Sequence, residues 1–214
     1  MKVLNLYSGL GGNRKDWKDV EVVAVEKSEK IAAVYQKNNP NDEVVIGDAH
    51  QYLLDHHHSF DFIWSSPPCQ SHSKMVKATR HDVRRYPDLK LYEEIIFLQN
   101  FFKGKWIVEN VKPYYKPLIK PSLEMGRHLI WSNFDIRPFE VKSPRNFINT
   151  SNSKGAEQLK NWLGIQYKGN IYYENNHCPC QVLRNCVHPD LGLHIFNESQ
   201  RVGMFELKNL KKRS

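Results

Sequence analysis

Two side chains in this sequence stand where they could make and break bonds. Cys69 follows the run Phe62-Ile63-Trp64-Ser65-Ser66-Pro67-Pro68, and Glu109 follows Trp106-Ile107-Val108. A thiolate is an effective nucleophile. A carboxylic acid sheltered by apolar neighbours has a raised pKa and can stay protonated to donate a hydrogen bond. Both residues close short apolar runs rich in aromatic and branched side chains, which read as buried strands of a parallel sheet. The two prolines lock their own φ and bias the preceding residues toward extended backbone, so Cys69 sits in a stiff turn. In open α/β sheets the ligand crevice lies beyond the carboxyl ends of the strands, where both side chains fall. Each has a plainer alternative: a Pro-rich strand exit with an ordinary thiol, and a glutamate paired for structural reasons.

The elements before them fit the same plan. Val3 to Tyr7 reads as a first strand, followed by Ser8-Gly9-Leu10-Gly11-Gly12. Glycines there let the backbone approach a ligand closely, although the GxGxxG spacing is absent and a tight turn would use the same residues. Glu21 to Val25 is the second strand with Glu26 at its end, about 20 residues after the first strand's turn, where dinucleotide-binding folds place an acceptor for ribose hydroxyls. Val44-Val45-Ile46 is the third strand and ends in Gly47-Asp48. Asp48 is read either as an acceptor for an adenine amino group or as a helix cap. Ser28 is expected to cap a helix that turns Ile31, Ala32 and Tyr35 inward and ends at Asn38-Asn39-Pro40. His56-His57-His58 reads as a solvated loop.

After Cys69 come Lys74, Lys77, Arg80, Arg84 and Arg85 within a dozen residues, read as a basic loop that contacts phosphates. Leu91, Ile95, Leu98 and Phe102 repeat at helical spacing and are core. Arg127 heads an extended segment through Trp131. Residues 134–154 are rich in Pro, Ser and Asn and read as loop, and Ala156 to Gly164 as a short helix closed by glycine. Leu191, Ile195 and Phe196 suggest a final helix, with a frayed Lys-rich tail from Lys208 to Arg213. His177, Cys178, Cys180, Cys186 and His188 lack zinc-ligand spacing, so no metal is expected. Four cysteines in 214 residues form no disulfide framework, which points to a reducing cytosol, and no run approaches a membrane span. A formal charge of +8 favours an anionic partner.

Taken together these stretches resemble the cytosine-C5 DNA methyltransferases. Leu6-Tyr7-Ser8-Gly9-Leu10-Gly11-Gly12 is similar to the family's first motif, with Tyr7 where the aromatic is usually Phe. Pro67-Pro68-Cys69-Gln70-Ser71 resembles its signature catalytic motif and Glu109-Asn110-Val111 its Glu-Asn-Val motif. The Gln-x-Arg-x-Arg segment is reduced to Gly126-Arg127-His128-Leu129-Ile130. The last motif survives as Arg184-Asn185-Cys186-Val187-His188-Pro189, and the recognition region between about Phe134 and Tyr173 is shortened.

The resemblance implies an α/β, Rossmann-like S-adenosylmethionine-dependent methyltransferase fold: a mostly parallel sheet with helices on both faces and a small irregular recognition subdomain. Residues 1–133 would be catalytic and cofactor-binding, 134–173 recognition-like, and 174–214 would return to the catalytic domain. Tyr7, Ser8, Gly9, Gly11, Glu26, Asp48, Asn185 and Val187 would bind S-adenosylmethionine. Cys69 would attack C6 of a flipped-out cytosine, Glu109 would bond its N3 edge, and Arg127 would hold the base. Gln70, Ser71, Lys74, Lys77, Arg80, Arg84 and Arg85 would grip double-stranded DNA. The implied setting is the cytoplasm of a bacterial or phage-infected cell, in DNA modification with or without a restriction partner, with room for a second subunit supplying recognition. The alternatives are an RNA (tRNA) cytosine-C5 methyltransferase and a non-catalytic nucleic-acid-binding relative. A nicotinamide-dependent dehydrogenase would share the glycine turn and Glu26, but gives no reason for Pro-Pro-Cys-Gln.

Overall fold

A computed structural model of the chain describes residues 1–73, 86–145, 147, 151–173 and 177–201. Seven strands form one sheet: β1 Lys2–Leu6, β2 Glu21–Glu26, β3 Glu43–Ile46, β4 Phe62–Ser65, β5 Lys105–Val111, β6 Leu123–Met125 and β7 His128–Ser132, in the order β3-β2-β1-β4-β5-β7-β6. The first five run parallel, and β7 and β6 complete the sheet antiparallel. This is a mixed, mostly parallel α/β sheet of the Rossmann-like kind. Strand order reverses between β1 and β4, which makes their carboxyl ends the switch point where such sheets bind ligands.

The strands read as continuous apolar runs because both faces are covered. Successive side chains point to opposite faces, and the two cores divide them accordingly. Leu4, Ile63, Trp106 and Val108 join Leu53 of α2 (Ala49–His56) and Leu91, Ile95 and Leu98 of α3 (Lys90–Phe101) on one side. Val3, Phe62, Trp64 and Ile107 join Trp17 and Ile195 and Phe196 of α6 (Pro189–Gln200) on the other. A third apolar cluster packs α4 (Ser153–Leu163) and α5 (Cys180–Arg184) onto Leu10 and onto Ile31 of α1 (Glu29–Asn38).

Several expectations change in detail. Tyr7 is not the last strand residue but turns away with φ +54°. Ser28 sits at the N-cap of α1 without a side-chain cap bond, and its N–H donates to Glu26. The three histidines do not form a loop, although His56 and His58 are exposed. His56 ends α2, its ring tilted against Tyr52, and His57 begins a 3₁₀ turn with its ring edge-on to Phe97. Helix α4 starts at Ser153, inside the stretch read as loop, because Asn152 caps it through Gly155 N–H and Gly164 closes it in the left-handed region at φ +61°. The tail from 202 onward lies outside the described residues.

Candidate active site

The register of the sheet lines up the chemistry-bearing residues along one edge. Leu6 pairs with both Val25 and Ser65, and Ser65 with Val108. The glycine turn, Glu26, the Ser66–Cys69 turn and Glu109 therefore leave neighbouring strands on the same side.

Below the thiol, Asn110 Nδ2 donates to the Pro67 carbonyl at 2.9 Å, tying the proline turn to β5. Ser66 accepts from Trp64 Nε1 at 2.9 Å and donates to Glu109. The turn closes on itself through His72 and Ser73 N–H to the Cys69 carbonyl, at 3.1 and 3.0 Å. Beyond it, buried His72 meets Tyr115 Oη at 2.5 Å. Gln70 is exposed, and Ser71 Oγ accepts from Asp88 N–H at 3.0 Å. Lys74, Lys77, Arg80, Arg84 and Arg85 lie outside the described residues.

Cys69, Glu109 and Arg127 act on one another electrostatically. Burial pushes the Cys69 thiol above its ordinary pKa, the Glu109 charge adds to that, and Arg127 works against it. Burial likewise raises Glu109, opposed by the Ser66 hydrogen bond and Arg127. Arg127 itself is held below its usual value by burial. Its Nη2 donates to the Arg184 carbonyl and its guanidinium lies 4.7 Å above the Phe147 ring. Neighbouring His128 is pushed down to about 3 by burial and by Arg127, so it adds no competing cation. Burial thus shifts both the thiol and the acid toward their protonated forms, and Arg127 opposes both shifts. A developing negative charge on a ring between them would meet both a donor and a cation.

On the other side of the switch point, Gly9 and Gly11 take φ +55° and +80°, where L residues are strained. Glu26 organises this turn: Oε2 accepts from Gly9 N–H at 3.0 Å and Oε1 from Ser28 N–H at 2.9 Å. A carboxylate offers about four lone-pair sites, so two accepted bonds leave it acceptor capacity. Ser8 Oγ is buried and finds no partner among the described residues. The segment Cys186-Val187 packs over the turn so closely that a Cβ on Gly12 would come within 2.3 Å of the Val187 carbonyl. Asn185 Nδ2 lies 3.4 Å from Tyr173 Oη, and the charges of Glu26 and Cys69 both act on that tyrosine. Asp48 caps α2, accepting from Gln51 N–H at 3.1 Å, and stands at the edge strand, two strands from the glycine turn. Both readings of that residue thus retain a geometric basis, with the cap occupying one oxygen.

Sequence reasoning missed Ser66, Tyr173 and the buried carboxylate of Glu94. Ser66 and Glu94 carry signals in retrospect, a serine pair before the prolines and a carboxylate among apolar helix positions. Tyr173 carries none. The cysteines near the end serve packing: Cys180 Sγ lies 3.4 Å from the Asn152 carbonyl and Cys186 Sγ 3.4 Å from the Val182 carbonyl. Burial pushes Cys186 up to about 12.

Residues 1–120 match the model of the C-5 cytosine-specific DNA methylases, more than half of the chain, and the chain belongs to that family. Among solved structures it is similar to a triple mutant of DNMT2 from Spodoptera frugiperda, at 28% identity over 52% of this chain and 35% of that one, with a TM-score of 0.37. It also matches a SAM-dependent methyltransferase from Agrobacterium tumefaciens, at 16% identity over 54% of this chain and 40% of that one, TM-score 0.38. The methyltransferase EhMeth of Entamoeba histolytica matches at 14% identity over 76% of this chain and 66% of that one, TM-score 0.41. The chain thus spans about a third of the length of the DNMT2 structure. No curated protein matches it. Membership in the family implies S-adenosylmethionine as cofactor. The residues present fit it, since the unpaired Ser8 hydroxyl, the spare acceptor capacity of Glu26 and the glycine backbone are what its polar groups would need. Among the described residues no helix is long and apolar enough to cross a membrane.

Proposed function

We propose that this chain transfers a methyl group to C5 of cytosine in double-stranded DNA, through a covalent bond between Cys69 and C6 of a base swung out of the helix. The observation that supports the reading is the meeting of Cys69, Glu109 and Arg127 at the switch point, one strand from the glycine turn. C5 of cytosine is a poor nucleophile while the ring is conjugated. Attack of the Cys69 sulfur on C6 breaks that conjugation and puts enamine character at C5. Glu109, whose proton is held more tightly because the carboxyl is buried, would in its protonated form donate to N3 and absorb the negative charge the attack creates. Arg127 adds a fixed positive charge that stabilises both the thiolate and the electron-rich ring. S-adenosylmethionine, when bound, supplies an electrophilic methyl group. A base then takes the C5 proton, the freed electron pair re-forms the C5–C6 double bond as Cys69 leaves as thiolate, and N3 returns its proton to Glu109.

A stacked cytosine exposes neither C6 nor C5 to these groups, so the base must leave the duplex. The basic segment from Lys74 to Arg85 and the exposed Gln70 would supply phosphate and base contacts around the opening. The short region before Tyr173 leaves room for a second subunit that contributes sequence recognition. Bisulfite sequencing of DNA from cells expressing the chain tests the reading directly, with methyl incorporation into purified duplex DNA and tRNA as a second arm. Cytosine methylation at defined DNA contexts is expected. Incorporation into tRNA alone would move the substrate to RNA, and incorporation into neither would overturn the activity.

A further inference from the structure

Beneath the strand ends lies a carboxylate that this chemistry does not use. Glu94 on α3 is 0% exposed. Its Oε1 accepts from Tyr7 Oη at 2.5 Å and lies 3.1 Å from His50 Nδ1, while Oε2 accepts from Ser65 Oγ at 2.6 Å. The other nitrogen of His50 is 3.4 Å from Glu93, so the ring is held between two carboxylates. The Glu94 hydrogen bond raises the pKa of His50, burial and Lys90 working against it.

Burying a carboxylate is costly even when its lone pairs are filled, and a well-packed apolar side chain often serves stability as well. What the carboxylate achieves here, and a leucine would not, is to join segments. Tyr7 directly precedes Ser8-Gly9, Ser65 directly precedes Ser66 and the turn to Cys69, and His50 stands in the first turn of the helix that Asp48 caps. Leu6 and Ser65 are paired across the switch point. Tyr7 is also the residue that departs from the usual Phe. Its hydroxyl is buried in the bond to Glu94 while its backbone takes a left-handed φ of +54°, costly for a bulky side chain unless surrounding contacts hold it.

We propose that Glu94 is a positioning residue that sets the glycine turn and the thiol turn relative to one another, acting on the first through Tyr7 and on the second through Ser65. The proposal deepens the methyltransferase reading and rests on it. It predicts two separable arms. S-adenosylmethionine binding to the full chain is measured by calorimetry, and the rate of Cys69 alkylation by iodoacetamide is followed by peptide mass spectrometry. Tyr7→Phe is expected to weaken S-adenosylmethionine binding by about three- to tenfold, the worth of one hydrogen bond, and to leave alkylation within about twofold. Ser65→Ala is expected to change the alkylation rate by a similar factor and leave binding within about twofold. Glu94→Gln should move both. The two hydroxyl deletions leave the carboxylate in place, so the test survives a Glu94→Gln chain that does not fold. Losses that move together in all variants and track the melting temperature would reduce Glu94 to packing and overturn the proposal. So would a wild type that binds S-adenosylmethionine with variants unchanged in both measurements. A wild type that binds none would overturn the methyltransferase reading along with it.

Discussion

The sheet edge and the cover laid over it are held together by different physics. From β1 to β5 the reactive groups leave adjacent parallel strands, and buried polar bonds fix the turns between them: Asn110 to Pro67, Glu26 to Gly9, Glu94 to Tyr7 and Ser65. After Ser132 the described residues up to Asn152 form no helix or strand. Helices α4 and α5 are then seated chiefly by apolar contact among Leu159, Leu163, Val182, Leu183 and Leu10. The conspicuous polar tie in this cover is Lys160, which is buried and donates to the carbonyls of Tyr167 and Gly169 and to Glu157. Directional bonds are suited to holding reacting atoms in register. Non-directional packing tolerates changes in loop length, so the segment leading into α4 can vary while the strand ends stay fixed.

That contrast can be broken at four places. Cys69→Ser should abolish methyl transfer, a loss of at least about a thousandfold, with folding and S-adenosylmethionine binding retained. Filter-bound incorporation of labelled methyl groups reads it, and residual turnover near wild type would remove the covalent step. Glu109→Gln should slow transfer by about a hundredfold or more with near-normal DNA affinity. The same variant should speed Cys69 alkylation at alkaline pH, because the carboxylate charge that raises the thiol is gone. In the wild type, alkylation should rise with pH and still be climbing at 9, the ordinary thiol value, since burial raises Cys69 above it. Methyl transfer should instead pass through a maximum, gaining as the thiol ionises and falling once Glu109 loses its proton.

Leu159→Ala tests the apolar cover. It should cost about 2–5 kcal/mol in urea unfolding while the chemistry of Cys69 stays intact in the folded fraction. A catalytic loss at full stability would mean that the cover does more than pack. The smallest effect is expected at the edge strand. Asp48→Ala should cost about 1 kcal/mol for the lost cap and also weaken S-adenosylmethionine binding; stability loss alone would return Asp48 to capping.

Much of the candidate site was legible in one dimension because each strand announces itself as an apolar run and each ends in the residue it presents. Cys69, Glu109, Glu26 and the glycines could be named that way, since a parallel sheet delivers consecutive strand ends to one side. The later helices were harder. Asn152 capping α4 lies within a stretch whose Ser and Asn content reads as loop, and α5 has only five residues. The histidine run reads as loop from its polarity, yet α2 and a 3₁₀ turn pass through it, since exposed helix positions accept polar side chains.

The amino-acid order by itself determined which groups stand at strand ends, a thiol and a sheltered carboxyl among them. Local pattern and proline stiffness act over a few residues, so they are written in the chain. Only the folded molecule decided that Arg127 donates to the Arg184 carbonyl above the Phe147 ring, how closely Val187 packs on Gly12, and that one carboxylate on α3 bridges Tyr7 to Ser65. Those pairings join residues far apart in the chain, 87 positions in the case of Tyr7 and Glu94. No local propensity encodes a contact whose partner is brought in by strand order and packing.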